Sequence, residues 1–191
     1  MMPGNQASSV PVVAALLSPD NKVVTPLFDY EQGGVAIGDA SQGLAFQEWT
    51  GWVDGLAIRL KPANGPAVTL FEAANVNEMS FCFDQNMRPA VAFLQGQSLG
   101  LRWFDSTING YRVDQFGEGR CPRMALDDKR ASQVKNSDMI FAYITLDGRL
   151  VYRQQRDRFQ TPYTLRTDLR YTDRLKNIGM GRNWRMEFEI V

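Results

Sequence analysis

The chain has 191 residues, 44% of them hydrophobic and 11% aromatic, enough to bury a core within one domain. Its 21 basic residues balance 21 acidic ones, so no strong net field draws it toward nucleic acid or an anionic membrane. There is no histidine, which excludes the usual general base, the usual metal ligand and every Ser–His or Cys–His nucleophile pair.

Two cysteines, Cys82 and Cys121, are too few for a zinc site unaided and too sparse for a disulfide scaffold. They leave one bridge open. No apolar stretch approaches the ~20 residues of a membrane span. The run Val10 to Leu17 lacks the basic flank of a signal peptide. The sequence therefore predicts no cofactor, no metal, no membrane span and no specific nucleic acid, and a product that stays in the compartment where it is made. The neutral total hides an asymmetry. Residues 1–100 carry 4 Lys/Arg and 9 Asp/Glu, whereas residues 149–191 carry 10 and 5. Such halves can attract each other across a subunit contact, or form no more than solvated faces.

Residues 1–26 read as an extended N-terminal arm. Pro3, Pro11, Pro19 and Pro26, with Gly4, Asn5, Ser8 and Ser9, suit chain that cannot pack alone. The apolar residues Val10, Val12, Val13, Leu16 and Leu17 are too hydrophobic for a spacer and are candidate interaction residues. Such an arm lies on a neighbouring subunit, or packs as a strand or short helix on its own domain.

Residues 27–191 read as one all-β domain. Arg185 to Val191 alternates strictly, placing Met186, Phe188 and Ile190 on one face and charges on the other. That is the period of a half-buried strand. Leu56, Ile58 and Leu60 alternate likewise, as do Leu99, Leu101 and Trp103. Asp54-Gly55, Asn64-Gly65, Asn109-Gly110 and Asp147-Gly148 each lie between strand-like runs, as type I′ hairpin turns do.

The hairpins repeat. Phe81-Cys-Phe-Asp84 resembles Met124-Ala-Leu-Asp127, 43 residues later. Each is followed by polar residues and an apolar strand, Ala90 to Leu94 or Ile140 to Ile144. Then come Leu99-Gly-Leu-Arg102 or Leu150-Val-Tyr-Arg153, and a last strand with Tyr111 or Tyr163. Asp54-Gly-Leu-Ala-Ile-Arg59 is a weaker third copy of Asp147 to Arg153. A period of ~40–50 residues with three or four strands is that of propeller blades, although about three units are too few to close one. An open stack of antiparallel, blade-like sheets is expected, with a plain β-sandwich as the alternative.

Chemistry is sparse. Asp84, Asp127 and Asp128 could suggest the paired carboxylates of a glycosidase. Asp84 and Asp127 hold equivalent repeat positions, however, which argues for a shared turn-capping job. Arg153, Arg156 and Arg158, beside Tyr152 and Phe159, form a basic cluster that could engage a partner. The intervening Asp157 suggests instead a hairpin end held by Arg–Asp pairing. Trp49, Trp52, Trp103 and Trp184 are dispersed, as tryptophans filling sheet cores are. Gly33-Gly34 and Gly179-Met-Gly181 lack the context of a phosphate loop.

Several longer strings share one resemblance. They are Ala40 to Thr50, Phe83-Asp-Gln-Asn-Met-Arg-Pro89, Leu126-Asp-Asp-Lys-Arg130, Ser137 to Tyr143, Tyr152 to Arg158 and Ile178-Gly-Met180. In this order they resemble a family of small virion proteins of tailed bacteriophages described as structural or tail proteins. The resemblance covers roughly residues 27–191 and carries no catalytic residues. It implies a non-enzymatic part of a tail, tail tip or fibre-attachment region, assembled in the host cytoplasm beside other virion tail proteins. A carbohydrate-binding module recognising a host surface glycan is the alternative, and a depolymerase a distant third. The unpaired edges of about three units and the split charge predict a homo-oligomer, a trimer being the simplest, loosened by salt.

Overall fold

The protein is described by a computed structural model covering residues 49–62, 65–84, 86, 88–127, 137–180 and 185–191, with only the backbone of six short strands ahead of residue 49. Those six are β1 (Val10–Pro11), β2 (Ala15–Leu17), β3 (Val23–Pro26), β4 (Glu31–Gln32), β5 (Val35–Ile37) and β6 (Ala45–Gln47). Next come β7 (Trp49–Asp54), β8 (Ala57–Pro62), β9 (Val68–Glu72), β10 (Val76–Phe83), β11 (Pro89–Gln95) and β12 (Ser98–Asp105). The chain continues with β13 (Gly110–Leu126), β14 (Met139–Thr145), β15 (Leu150–Gln154), β16 (Tyr163–Arg166), β17 (Leu175–Met180) and β18 (Met186–Ile190). One 3-10 turn, Gln155–Asp157, follows β15. The fold is all-β. Among the described residues no helix is long and apolar enough to cross a membrane.

Strands β10 to β16 form one seven-stranded sheet in chain order, every neighbour antiparallel. The sheet divides within β13, whose first half pairs with β12 up to Glu118 and whose second half pairs with β14 from Gly119. Positive φ angles at Gly117 (77°) and Cys121 (53°) re-aim the strand there. Each half is a four-stranded meander, and the two halves are the two copies of the sequence repeat. The weaker copy falls on β7–β8–β9, part of a five-stranded sheet ordered β3-β2-β7-β8-β9.

One backbone bond recurs in all three units. The turn ahead of β8, β12 or β15 offers a carbonyl to the N–H of the segment just after the pairing of the next strand ends, that is, after β9, the first half of β13 or β16. Leu56 O accepts from Ala73 (2.7 Å), Gln97 O from Gly119 (2.9 Å) and Gly148 O from Leu169 (3.0 Å). Each of these turns has a glycine at positive φ: Gly55, Gly96 and Gly148. In the Asp54–Ala57 turn only the first central residue, Gly55, takes positive φ, so it is of type II′ rather than the expected I′. Leu56, expected on the core face, is the second central residue and is exposed.

Among the described residues, three cores separate four layers. The first lies between β7–β8 (Val53, Ile58, Leu60) and β10–β11 (Val76, Met79, Phe81, Phe83, Val91, Phe93). The second joins the opposite face of β10–β12 (Cys82, Ala90, Ala92, Leu94, Leu99, Leu101, Trp103) to Met124, Leu126, Met139, Phe141, Tyr143, Val151 and Phe159. The third joins Cys121, Ala125, Ile140, Ala142, Ile144 and Leu150 to Leu169, Leu175 and Ile178, with Met186, Phe188 and Ile190 packed against them. Successive residues of β11 and β14 thus feed different cores. That is why Ala90–Leu94 and Met139–Ile144 are unbroken apolar runs, while β18 alternates with exposed Glu187 and Glu189.

Arg123, wholly buried, runs across these layers. Its Nη1 donates to Glu78 Oε1 of β10 at 2.5 Å and its Nε to the Lys176 carbonyl of β17 at 3.0 Å. Cys82 and Cys121 are both buried, one in the second core and one in the third, and no disulfide joins them. At the N-terminal end, β2 pairs with β3 and, at Leu16↔Val53, with β7 in parallel, whereas β1 pairs with β4. The side chains of Val10, Leu16 and Leu17 are not among the described features, and Val12 and Val13 lie outside the described residues.

Candidate functional site

In an antiparallel meander, alternate strands run the same way, so their C-terminal ends meet at one end of the sheet. Asp84 follows β10 and Asp105 ends β12. Asp127 follows β13, at the place in the second unit that Asp84 holds in the first. Asp138 stands just before β14, and the Gln155–Arg158 segment follows β15, the counterpart of β12. Asp84, Asp105, Asp138, Gln155, Arg156 and Arg158 line a cleft of about 680 Å³, and Asp127 stands behind Arg156 outside the lining.

The repeat equivalence of Asp84 and Asp127 is geometric as well as sequential. The Asp84 N–H donates to the Arg88 carbonyl (3.0 Å), and its Oδ1 accepts from the Arg88 N–H (2.9 Å) and the Asn86 N–H (2.8 Å). The Asp127 N–H donates to the Asp138 carbonyl (2.9 Å), and its Oδ1 accepts from the Asp138 N–H (2.7 Å). One carboxylate therefore closes each hairpin from both sides, whether the loop is short or long. The outer oxygen then takes an arginine. Asp84 Oδ2 accepts from Arg88 Nε at 2.9 Å, and Asp127 Oδ2 from Arg156 Nη2 at 3.1 Å.

Asp105 and Asp138 complete the set. Asp105 Oδ1 accepts from the Thr107 N–H (2.9 Å) and hydroxyl (2.7 Å), and its Oδ2 from Arg158 Nη2 (2.6 Å). Asp138 accepts from the Arg156 backbone N–H (2.9 Å) and from Arg156 Nε (2.7 Å). The Thr107 hydrogen bond, helped by Arg158, holds the Asp105 carboxyl well below the usual carboxylate range. Burial pushes Asp138 the other way, up, against the pull of Arg156.

A group whose pKa is depressed on folding contributes stability above its unfolded value, near 4, and loses it as pH falls toward the folded value. The Asp105→Asn variant is therefore expected to be less stable than the parent at pH 6. It should also lose less stability than the parent between pH 5 and pH 2. Urea midpoints at each pH check this, and parallel acid limbs for the two proteins would refute it.

The loop carrying Arg156 and Arg158 is shaped by Arg153. Arg158 and Phe159 both adopt positive φ (60° and 59°), a strained conformation for non-glycine residues. Arg153 Nη1 donates to the carbonyls of Phe159 (2.8 Å) and Gln160 (2.7 Å), and its Nε donates to the Tyr143 hydroxyl (3.1 Å). That reversal drives the Phe159 ring into the second core, edge-on to Trp103 at 5.2 Å. Of the three candidate arginines, Arg156 and Arg158 line the cleft and Arg153 braces the loop behind them.

Asp157, the neighbour expected to pair with these arginines, instead accepts from the Thr161 N–H at 3.2 Å. The true partners, Asp105, Asp127 and Asp138, come from other hairpins. Sequence reasoning overlooked Asp105, Asp138, Arg88 and Thr107. The available signal was an aspartate directly bounding an apolar strand, as in Phe104-Asp105 and Asp138-Met139. Trp103 fills the second core and Trp49 packs against the first, whereas Trp52 is half-buried and Trp184 lies outside the described residues. The chain matches no family model, no curated protein and no solved structure.

Proposed function

We propose that this chain is a structural component of a bacteriophage virion, of the tail, tail tip or fibre-attachment region, and that it works by assembly rather than by catalysis. The observation that carries the non-catalytic part is the repeated bracket at Asp84 and Asp127. Both carboxylates are committed to backbone N–H groups and to an arginine, which is architectural work. The virion assignment draws its support from the sequence resemblance over residues 27–191.

The sheet edges support an assembly role. β16 ends its sheet, all four of its residues are exposed, and it carries Tyr163 and Leu165 with Arg166. β9 ends the five-stranded sheet, with exposed Val68, Thr69 and Glu72. An exposed edge is a template for pairing with another chain. Joining the β16 edge of one copy to the β9 edge of the next is head-to-tail, and a closing head-to-tail contact makes a ring. The proposed state is a homotrimer, held partly by charge and set among other tail proteins.

Light scattering on the purified chain is expected to give an oligomer at low salt that shifts toward the 21.6 kDa monomer at high salt. A monomer at both would remove the self-association. Deleting residues 1–26 is expected to preserve the far-UV β signature and abolish incorporation into particles. Normal incorporation of the truncated chain would remove the arm from the assembly contact.

A further inference from the structure

We propose that the cleft between the hairpin ends binds a carboxylate-bearing saccharide unit. Its volume of about 680 Å³ lies within the range of small-molecule sites. The ion pairs around it share one orientation. The Asp84 and Asp105 side chains are 1% exposed and Asp138 is 9% exposed, whereas those of Arg88, Arg158 and Arg156 are 31%, 46% and 60% exposed. The negative ends are hidden and the guanidinium ends face solvent.

Spare donors remain on that rim. Among the described bonds, Arg158 uses only Nη2 of its side chain, Arg88 only Nε, and Arg156 Nε and Nη2. An incoming carboxylate can take the remaining N–H groups in the forked geometry that guanidinium favours. The carboxylates behind hold those forks in place before binding, which lowers the ordering cost.

The rest of the lining selects among anions. Asn86, Ser106, Thr107 and Gln155 offer neutral donors and acceptors suited to hydroxyl groups. Among the described residues, the only aromatic or aliphatic ones in the lining are Trp103 and Phe104, and Arg88 already lies over the Phe104 ring at 3.8 Å. A peptide would find no pocket for an apolar side chain there. Among the described lining residues three aspartates offset three arginines, so a nucleic-acid polyanion gains no long-range attraction and only the local guanidinium forks favour an anion. A single carboxylate on a polyhydroxylated ring satisfies both sets of groups. The inference is independent of the assembly role, and failure of one leaves the other standing.

The test is calorimetric titration of the full chain with a uronic-acid disaccharide. Parallel titrations use the same disaccharide with its carboxylates reduced to alcohols, sodium acetate, and a short glutamate peptide. The acidic disaccharide is expected to bind at least about tenfold more tightly than each of the other three. Arg156→Gln and Arg158→Gln are each expected to weaken it about tenfold, and Lys176→Gln, on β17, to leave it unchanged. Loss of Arg158 also uncovers a buried carboxylate, so Gln155→Ala supplies a milder variant, expected to weaken binding about threefold. Equal affinity for the reduced sugar overturns the proposal, as does acetate or peptide binding as tight as the disaccharide. So does the absence of heat at about 10 mM disaccharide.

Discussion

Replacing Arg123 with Met is expected to lower the unfolding free energy by about 3–5 kcal/mol, the usual cost of breaking a fully buried ion pair. The side chain is wholly buried and bonded to Glu78 in one layer and to a carbonyl in another. Its removal strands the Glu78 carboxylate, itself only 7% exposed, without its cation. Methionine fills most of the lost volume, so the penalty is electrostatic rather than a cavity term. The double variant Glu78→Leu with Arg123→Met is expected to recover most of the loss, because an apolar pair needs no compensation there. Urea denaturation of the parent, both single variants and the double variant measures the coupling. A loss below about 1 kcal/mol for Arg123→Met would mean that the layers are not tied through this group.

Gly148→Ala is expected to be the costliest change among the three equivalent turn glycines. At all three, a Cβ must accept a positive φ, which costs about 1–2 kcal/mol. At Gly55 and Gly96 (both φ 62°) the added atom meets nothing within 4 Å, so the expected loss ends there. At Gly148 (φ 81°) it would lie 2.3 Å from the Leu169 carbonyl oxygen, the chain segment bonded to that same turn. Backbone cannot swing aside as a side-chain tip can, so overpacking adds about 1–3 kcal/mol. Thermal unfolding of the three alanine variants should rank Gly148 well apart from the other two. Equal losses would show that the recurring turn-to-strand bond is not rigid.

The same turns show how far the sequence is legible. Asp54-Gly55, Asn109-Gly110 and Asp147-Gly148 each fall between paired antiparallel strands, with the positive φ on Gly55, Asn109 and Gly148, residue types that accept it at least cost, whereas Asn64 lies outside the described residues. The turn at Gly96 has Gln95 rather than Asn or Asp before it, so the dipeptide signal misses it. Periodicity also worked: Met186, Phe188 and Ile190 pack inward while Glu187 and Glu189 face out. The layer order was harder to see. It is written in the contrast between unbroken apolar runs and alternating ones, which has meaning only once both faces of a strand are assigned.

The cleft was half legible. The bracketing role of Asp84 and Asp127 follows from their repeat positions, and the arginine cluster stood out by composition. Which aspartate meets which arginine did not follow. Arg158 reaches Asp105 across 53 residues of sequence and Arg156 reaches Asp127 across 29. Such pairs are set by how the two meanders fold against each other, not by local spacing. Asp157 looked like the partner because it is adjacent, yet its carboxylate is bonded to the Thr161 N–H.

The most direct test of the proposed role is electron microscopy of intact phage particles decorated with gold-labelled antibody against residues 27–191. The account predicts label at one fixed position on the tail, in a copy number matching the oligomer seen in solution. Particles that carry no label, with the chain confined to the soluble fraction of the producing cells, would contradict it.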